Sequence, residues 1–291
     1  MSMVLFLGPG VMGAPMIANL VRAGHEVRAM GRSEASRRRA EEAGAELFDD
    51  VTSAVSGCDV VITMLPDTPD VENAVLGDGG LADAMRPGQV FVDMSTIVAA
   101  TAKRLHDALA AKGVPALDCP VSGGEQGAID GTLSVMAGGD ADALERVRPV
   151  LEAMSGRITH VGPAGSGQLT KAANQLIVAA NIQAVAEAVV LLERAGVDLE
   201  PALAALAGGL AGSAVMEVKR KAFLHGDFTP GFRTELHNKD LRIVSAVVME
   251  NRLALPLNAL VTQLLAAVEA RGYGMLDDAA LLKLTRELNG A

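Results

Sequence analysis

Three groups of residues in this sequence have the types and the spacing to do chemistry. The first is Gly8-Pro9-Gly10-Val11-Met12-Gly13, which follows the apolar run Val4-Leu5-Phe6-Leu7 directly. A GxGxxG that joins a strand to a helix is suited to phosphate. Its first glycine permits the tight turn, its second lets the backbone approach a pyrophosphate, and its third lets helix and strand pack closely. The N–H groups at the helix start favour the negative charge. The second group is Asp118-Cys119-Pro120-Val121-Ser122-Gly123-Gly124. The Ser122 hydroxyl and the amides of Gly123 and Gly124 suit a nest for a small carboxylate, and the same composition suits a loop that needs glycine for its backbone angles. The third is Lys171 with Asn174, whose spacing puts both on one face of a helix. A lysine opening an apolar helix either faces a ligand cleft or carries its ammonium out to solvent.

Cofactor choice rests on the end of the second apolar run, Ala29-Met30-Gly31-Arg32-Ser33. No acid stands there to take the ribose hydroxyls, whereas Arg32 and Ser33 offer donors to a 2′-phosphate. NADP(H) is therefore expected, with NAD(H) possible through Glu34, which could turn back toward the ribose. Of Arg37, Arg38 and Arg39, at least two read as a solvated helix face, since consecutive helical residues point about 100° apart. Lys239-Asp240 reads from the residues alone as a solvated ion pair. The five histidines, at 25, 106, 160, 225 and 237, and the two cysteines, Cys58 and Cys119, form neither a nucleophilic triad nor a metal spacing, so no metal is expected.

The elements that must position these residues are legible in the hydrophobic pattern. Short apolar runs alternate with helical segments to about residue 162: VLFL, HEVRAM, DVVITML, QVFVDM, PALD and LSVMAG. This rhythm predicts an α/β fold, a doubly wound and mostly parallel sheet whose strand ends line a ligand crevice. After GPAGSG no further strand is predicted. The segment from Gln168 to Ala195 contains neither Gly nor Pro. It reads as a helix about 40 Å long, apolar nearly all round. Shorter helices follow, the last from about Asp277 to Leu288. The expected domains are therefore 1–162, a nucleotide-binding sheet, and 163–291, all-helical.

Composition narrows the function classes. Of 291 residues, 50% are hydrophobic and 21% charged, which excludes a disordered chain. The 25 Lys and Arg against 35 Asp and Glu give a formal charge of −10, which argues against a general partner in nucleic acid or in an anionic membrane. Isolated cysteines, and a first strand that leaves no room for a signal peptide, lead to the expectation of a cytoplasmic protein. Asn181, Gln183 and Glu187 interrupt the most apolar stretch and argue against a lipid-facing span.

Taken together, GPGVMGAPMIANL (8–20), DCPVSGGEQGAIDGTLSVMAGG (118–139), GSGQLTKAANQ (165–175) and HNKDL (237–241) resemble the β-hydroxyacid dehydrogenase family over essentially the whole chain. The resemblance implies a Rossmann domain, an all-helical C-terminal domain for substrate and oligomerisation, and an active site between them. It implies that Lys171 is the catalytic lysine and Asn174 its partner, and that Ser122, Gly123 and Gly124 bind substrate. Thr96 would stand at both nicotinamide and substrate. Gly8, Gly10, Val11, Met12, Gly13, Arg32, Ser33, Leu65, Pro66 and Lys239 would bind the cofactor. The substrate implied is a small aldehyde or hydroxy acid and the assembly a homodimer or homotetramer. A chain that binds NADP without turnover is the non-enzymatic alternative. Pro9 and Gly31 depart from the family pattern, where Leu and then Asn or Asp are more usual.

Overall fold

The structure is a computed structural model that describes residues 1–290. The chain divides into two compact units, Met1–Lys171 and the part that begins at Ala172.

The first unit carries nine strands: β1 (Met3–Leu7), β2 (Glu26–Met30), β3 (Glu46–Leu47), β4 (Val60–Thr63), β5 (Val90–Asp93), β6 (Ala116–Asp118), β7 (Val121–Ser122), β8 (Leu133–Gly139) and β9 (Ser155–Gly162). Its helices are α1 (Gly13–Arg22), α2 (Glu34–Glu42), α3 (Val51–Val55), α4 (Thr68–Leu76), α5 (Leu81–Ala84), α6 (Ala99–Ala110), α7 (Gly124–Asp130) and α8 (Ala141–Glu152). The strands form one sheet ordered β3-β2-β1-β4-β5-β6-β8-β7, with β9 on β8. The first six are mutually parallel, and β8 runs antiparallel to β6. That order is the Rossmann arrangement, in which the chain reverses direction across the sheet between β1 and β4 and opens a crevice at their carboxyl ends. Fully buried strands such as Val60–Thr63 and Val90–Asp93 explain why they read as unbroken apolar runs. Phe6, Met16, Ile17 and Val92 pack one face of the sheet, and Leu5, Val61, Val71 and Phe91 the other.

The structure adds three strands to the sequence reading: β3 and β7, of two residues each, and β9. β9, SGRITHVG, is largely solvent-facing and pairs parallel with β8. It lacks an apolar run because it lies at an edge and buries few of its side chains.

α9 (Ser166–Arg194) is the long helix, beginning two residues before the expected start and ending one earlier. By length and apolar composition alone it could cross a membrane. Its Ala172, Ala179, Ile182, Ala186 and Val189 instead lie in the hydrophobic core of the second unit, with Leu241, Val244, Val261 and Leu265. That unit is helical: α10 (Leu199–Ala207), α11 (Ala214–Val218), α12 (Arg220–His225), α13 (Thr234–Glu250), α14 (Pro256–Val268) and α15 (Leu281–Leu288). A 3₁₀ turn, Asp278–Ala280, precedes α15 where the sequence pattern suggested continuous helix. Asp277 caps that turn by accepting from the Ala279 amide at 3.0 Å.

Candidate active site and nucleotide cleft

The fingerprint turn is built on close backbone approach. Gly8 has φ +97°, and a Cβ there would run into the Met64 carbonyl, at the end of the neighbouring strand. A Cβ on Gly13 would run into the carbonyl of Gly8. Nothing lies within 4 Å of the Cβ position at Gly10, so the backbone there is open to a ligand. These three environments match the three tasks of the pattern, and they fit a dinucleotide pyrophosphate.

A cleft of about 550 Å³ opens at this point, lined by Gly8, Gly10, Arg32, Ser33, Leu65 and Pro66 among others. Six of the expected cofactor residues thus come together. Val11, Met12, Gly13, Thr96 and Lys239 are not among its lining residues. Arg32 Nη2 sits 2.8 Å from Asp70 Oδ1, so the guanidinium offered to a 2′-phosphate already has a carboxylate partner. Ser33 is the N-cap of α2, its Oγ accepting from the Ser36 amide at 3.1 Å. Arg37 also lines the cleft and pairs with Asp49, while Arg38 pairs with Glu34 on the exposed helix face.

The start of α9 is fastened to the ends of the strands. Asp118, the last residue of β6, accepts from the Gly165 amide at 2.7 Å and from the Gln168 amide at 2.9 Å. Gln168 in turn accepts from the Ile97 amide at 3.0 Å and donates to the Ser95 carbonyl at 2.8 Å, on either side of Thr96. A Cβ on Gly167 would run into the carbonyls of Asp118 and Met136, so only glycine allows this approach. Burial pushes the Asp118 carboxyl up, with the backbone amides opposing it. Beside it Asp93 is fully buried and rises to about 6, held back by Ser95 and Thr63. Ser95 Oγ accepts from the Leu65 amide at 2.9 Å, which ties this network to the cleft lining.

Lys171 follows at the end of the first unit and is buried, 7% exposed, so it does not extend to solvent. Ser122 ends β7, and Gly123 and Gly124, with φ +136° and +62°, turn the chain into α7.

In the second unit, Asn174 Nδ2 donates to Gln175 Oε1 at 2.8 Å. Lys239 Nζ and Asp240 Oδ1 stand 2.9 Å apart with side chains 11% and 3% exposed. The expectation of a solvated pair is corrected: α13 turns Asp240 inward, where an ion pair offsets its desolvation. His237 belongs to a buried cluster of four ionisable side chains, with Lys219, Asp277 and Asp278. It faces Asp278 Oδ2 at 2.8 Å through Nδ1 and the Gln175 carbonyl at 3.1 Å through Nε2, while Lys219 reaches Asp277 at 2.8 Å and Asp278 at 2.6 Å. With acceptors on both nitrogens, the imidazolium is the form that satisfies both.

The hydrogen bonds of Asp118, Gln168 and Gln175 are what pattern reading missed. The signal available was the spacing of Gln168 and Gln175, seven residues apart, which returns nearly to the same helix face after two turns.

Comparison with known proteins agrees with this geometry. Residues 3–162 match the family model described as the NAD binding domain of 6-phosphogluconate dehydrogenase, and residues 165–285 that described as NAD-binding of NADP-dependent 3-hydroxyisobutyrate dehydrogenase. A Rossmann sheet with this fingerprint, followed by this helical unit, defines an NAD(P)-binding oxidoreductase. The chain belongs to the β-hydroxyacid dehydrogenases, the family of the 3-hydroxyisobutyrate dehydrogenases. It is 39% identical over 278 residues to 2-hydroxy-3-oxopropionate reductase of Escherichia coli (strain K12), covering 96% of this chain and 95% of that one. It is 34% identical to NAD-dependent L-serine dehydrogenase of Pseudomonas aeruginosa, covering 98% of each. Among solved structures, Mycobacterium tuberculosis 3-hydroxyisobutyrate dehydrogenase with L-serine superposes with a TM-score of 0.90 at 36% identity, over 98% of this chain and 99% of that one. These relatives are named as dehydrogenases or reductases, and a module without turnover has no support among them.

Proposed function

We propose that this enzyme reduces tartronate semialdehyde (2-hydroxy-3-oxopropanoate) to D-glycerate with NADPH, and that Lys171 is its general acid. The observation that carries the acid assignment is a buried lysine one turn beyond a helix start fastened to the strand ends beside Thr96. When bound, the dinucleotide supplies the hydride. As negative charge grows on the aldehyde oxygen, the Lys171 ammonium stabilises it and donates the proton; in the oxidative direction Lys171 takes it back. Ammonium is the ordinary form of lysine at neutral pH. Asn174 orients Lys171 or the substrate hydroxyl. Ser122, Gly123 and Gly124 hold the substrate carboxylate, and Thr96 borders the reacting carbon. Lys239 acts on the cofactor side, with Val11, Met12 and Gly13 completing the pyrophosphate turn.

The substrate is supported by the 39% identical full-length relative and by the stretch from Gly208 to Leu241, whose GGLAGS and GDFTPGFRTELHNKDL resemble tartronate semialdehyde reductase. The NADPH preference is supported by Arg32 in the cleft and by the absence of an acid at Gly31. One methyl group of difference in a substrate is worth only about 1–3 kcal/mol of discrimination. The test is therefore a panel: tartronate semialdehyde, methylmalonate semialdehyde, glyoxylate and succinic semialdehyde in reduction, and 3-hydroxyisobutyrate and L-serine in oxidation, each with both cofactors. The highest kcat/KM with tartronate semialdehyde and NADPH, together with a loss of about 10²-fold or more in Lys171→Ala at unchanged NADPH affinity, is expected. A better substrate in the panel overturns the substrate, and wild-type kcat in Lys171→Ala overturns the acid. Two buried free cysteines, Cys58 and Cys119, support a reducing, cytoplasmic setting.

A further inference from the structure

Two buried side chains with no role in the proposed reaction connect Asn174 to Lys239. Asn174 Nδ2 donates to Gln175 Oε1, Gln175 Nε2 donates to Asp240 Oδ2 at 2.6 Å, and Asp240 Oδ1 meets Lys239 Nζ. Gln175 and Asp240 are 5% and 3% exposed. An ionised carboxylate only accepts hydrogen bonds, so Asp240 dictates which end of the Gln175 amide faces it. The nitrogen turns to Asp240, and Oε1 remains on the side of Asn174. Only the nitrogen of Asn174 can donate to that oxygen. The polarity of the carboxylate thus passes through one amide and sets the next. The backbone of the same residue is held as well, since the His237 ring meets the Gln175 carbonyl at 3.1 Å.

We propose that Gln175 is a positioning residue that, clamped by Asp240, holds the Asn174 amide with its nitrogen turned inward and its carbonyl oxygen presented as an acceptor. Asn174 then recognises a hydrogen-bond donor, either the ammonium of Lys171 one turn earlier on α9 or the hydroxyl of a hydroxy acid. It is not oriented to stabilise an oxyanion, which leaves that task to the lysine. A misoriented amide would turn a donor toward the ammonium and repel it, so the clamp acts on the chemical step more than on cofactor binding. The inference rests on the assignment of Lys171 and Asn174 given above.

The test is a double-mutant cycle on the full chain, using the panel substrate turned over fastest with NADPH. Asn174→Ala and Gln175→Met are each expected to lower kcat by on the order of ten- to a hundredfold, the scale at which misplacing a reacting group is felt. KM for NADPH should stay within about twofold, the split expected when a group acts on the chemical step rather than on binding. Because Gln175 acts through Asn174, the double variant should be no slower than Asn174→Ala alone. Losses that multiply, or a Gln175→Met enzyme with wild-type kcat, overturn the proposal. A second variant, Gln175→Glu, keeps a polar group of the same size. A carboxyl there that shares one proton with Asp240 donates to it and accepts from Asn174, as the glutamine does. Its activity should approach wild type in acid and fall as pH rises and that proton leaves, whereas a loss independent of pH overturns the clamp. Wild-type kcat in Lys171→Ala would instead overturn the underlying assignment, so the two failures are separable.

Discussion

At the mouth of the nucleotide cleft, Arg32 is held by Asp70 and Arg37 by Asp49, so any 2′-phosphate competes with a carboxylate for its guanidinium. Exposed pairs of this kind are worth about 0–1 kcal/mol. Asp70→Asn is therefore expected to tighten NADPH binding by up to about fivefold and to leave NADH unchanged, as read by cofactor titration. Pro9 and Gly31, the two departures from the family pattern, prove to be neighbours. A Cβ on Gly31 would come within 3.2 Å of Pro9 Cγ and 2.6 Å of Ser36 Oγ, so the proline ring and the glycine accommodate each other. That pairing was not readable from the sequence, because 22 positions separate the two residues and only the β1–β2 register joins them.

The buried cluster around His237 gives a prediction with a sign. Burial opposes the His237 imidazolium, yet the hydrogen bond and charge of Asp278 outweigh it and raise the group above its ordinary value. Its stabilisation is complete below about pH 6.5 and is lost as pH rises through the raised value. Burial likewise disfavours the Asp278 carboxylate, but His237 and Lys219 hold it down to about 2, so its contribution is present above about pH 4 and disappears as pH falls toward 2. The Tm difference between the wild type and His237→Gln should accordingly shrink between pH 6 and 9. A constant difference across that range would show that the ring does not titrate there.

Elements carry the next level of cause. Five of the six parallel strands, and β8, were legible as apolar runs, which burial on both faces leaves uninterrupted in Val60–Thr63, whereas β3 spans only Glu46–Leu47 and leaves no run to read. The long helix was legible because it lacks Gly and Pro. β9 was not, since an edge strand with exposed side chains has no such run. The fastening of α9 was hidden for another reason. Asp118 and Gln168 look like ordinary loop and helix residues until the fold brings positions 50 apart into hydrogen-bond range. Gly167→Ala tests it: the added methyl group meets two carbonyls and should cost about 1–3 kcal/mol in thermal unfolding, with a fall in kcat because Lys171 lies in the next turn. Of the candidate site, the fingerprint and Arg32 were readable as a contiguous pattern. Gln175 and Asp240 were not, because their partnership depends on packing between α9 and α13.

At the scale of the molecule, α9 exposes Leu169, Ile177 and Leu191, of which Leu191 is 70% exposed. Together with the family resemblance this supports a homodimer or homotetramer. Light scattering should give two or four times the 29.9 kDa chain mass, and an Ile177→Asp/Leu191→Asp double variant should lower it. A wild-type mass of a single chain would refute association. The attachment of α9 at Gly165 and Gln168 also has a mechanical meaning. A helix of 29 residues is about 42 Å long, and Lys171 stands only about 9 Å from its fixed end. A tilt of about 5° about that fulcrum would sweep the far end through roughly 4 Å and move Lys171 by less than about 1 Å. Lys171, the proton donor proposed above, sits on the short arm of such a lever, so remodelling of the distal turns would leave its ammonium nearly in place.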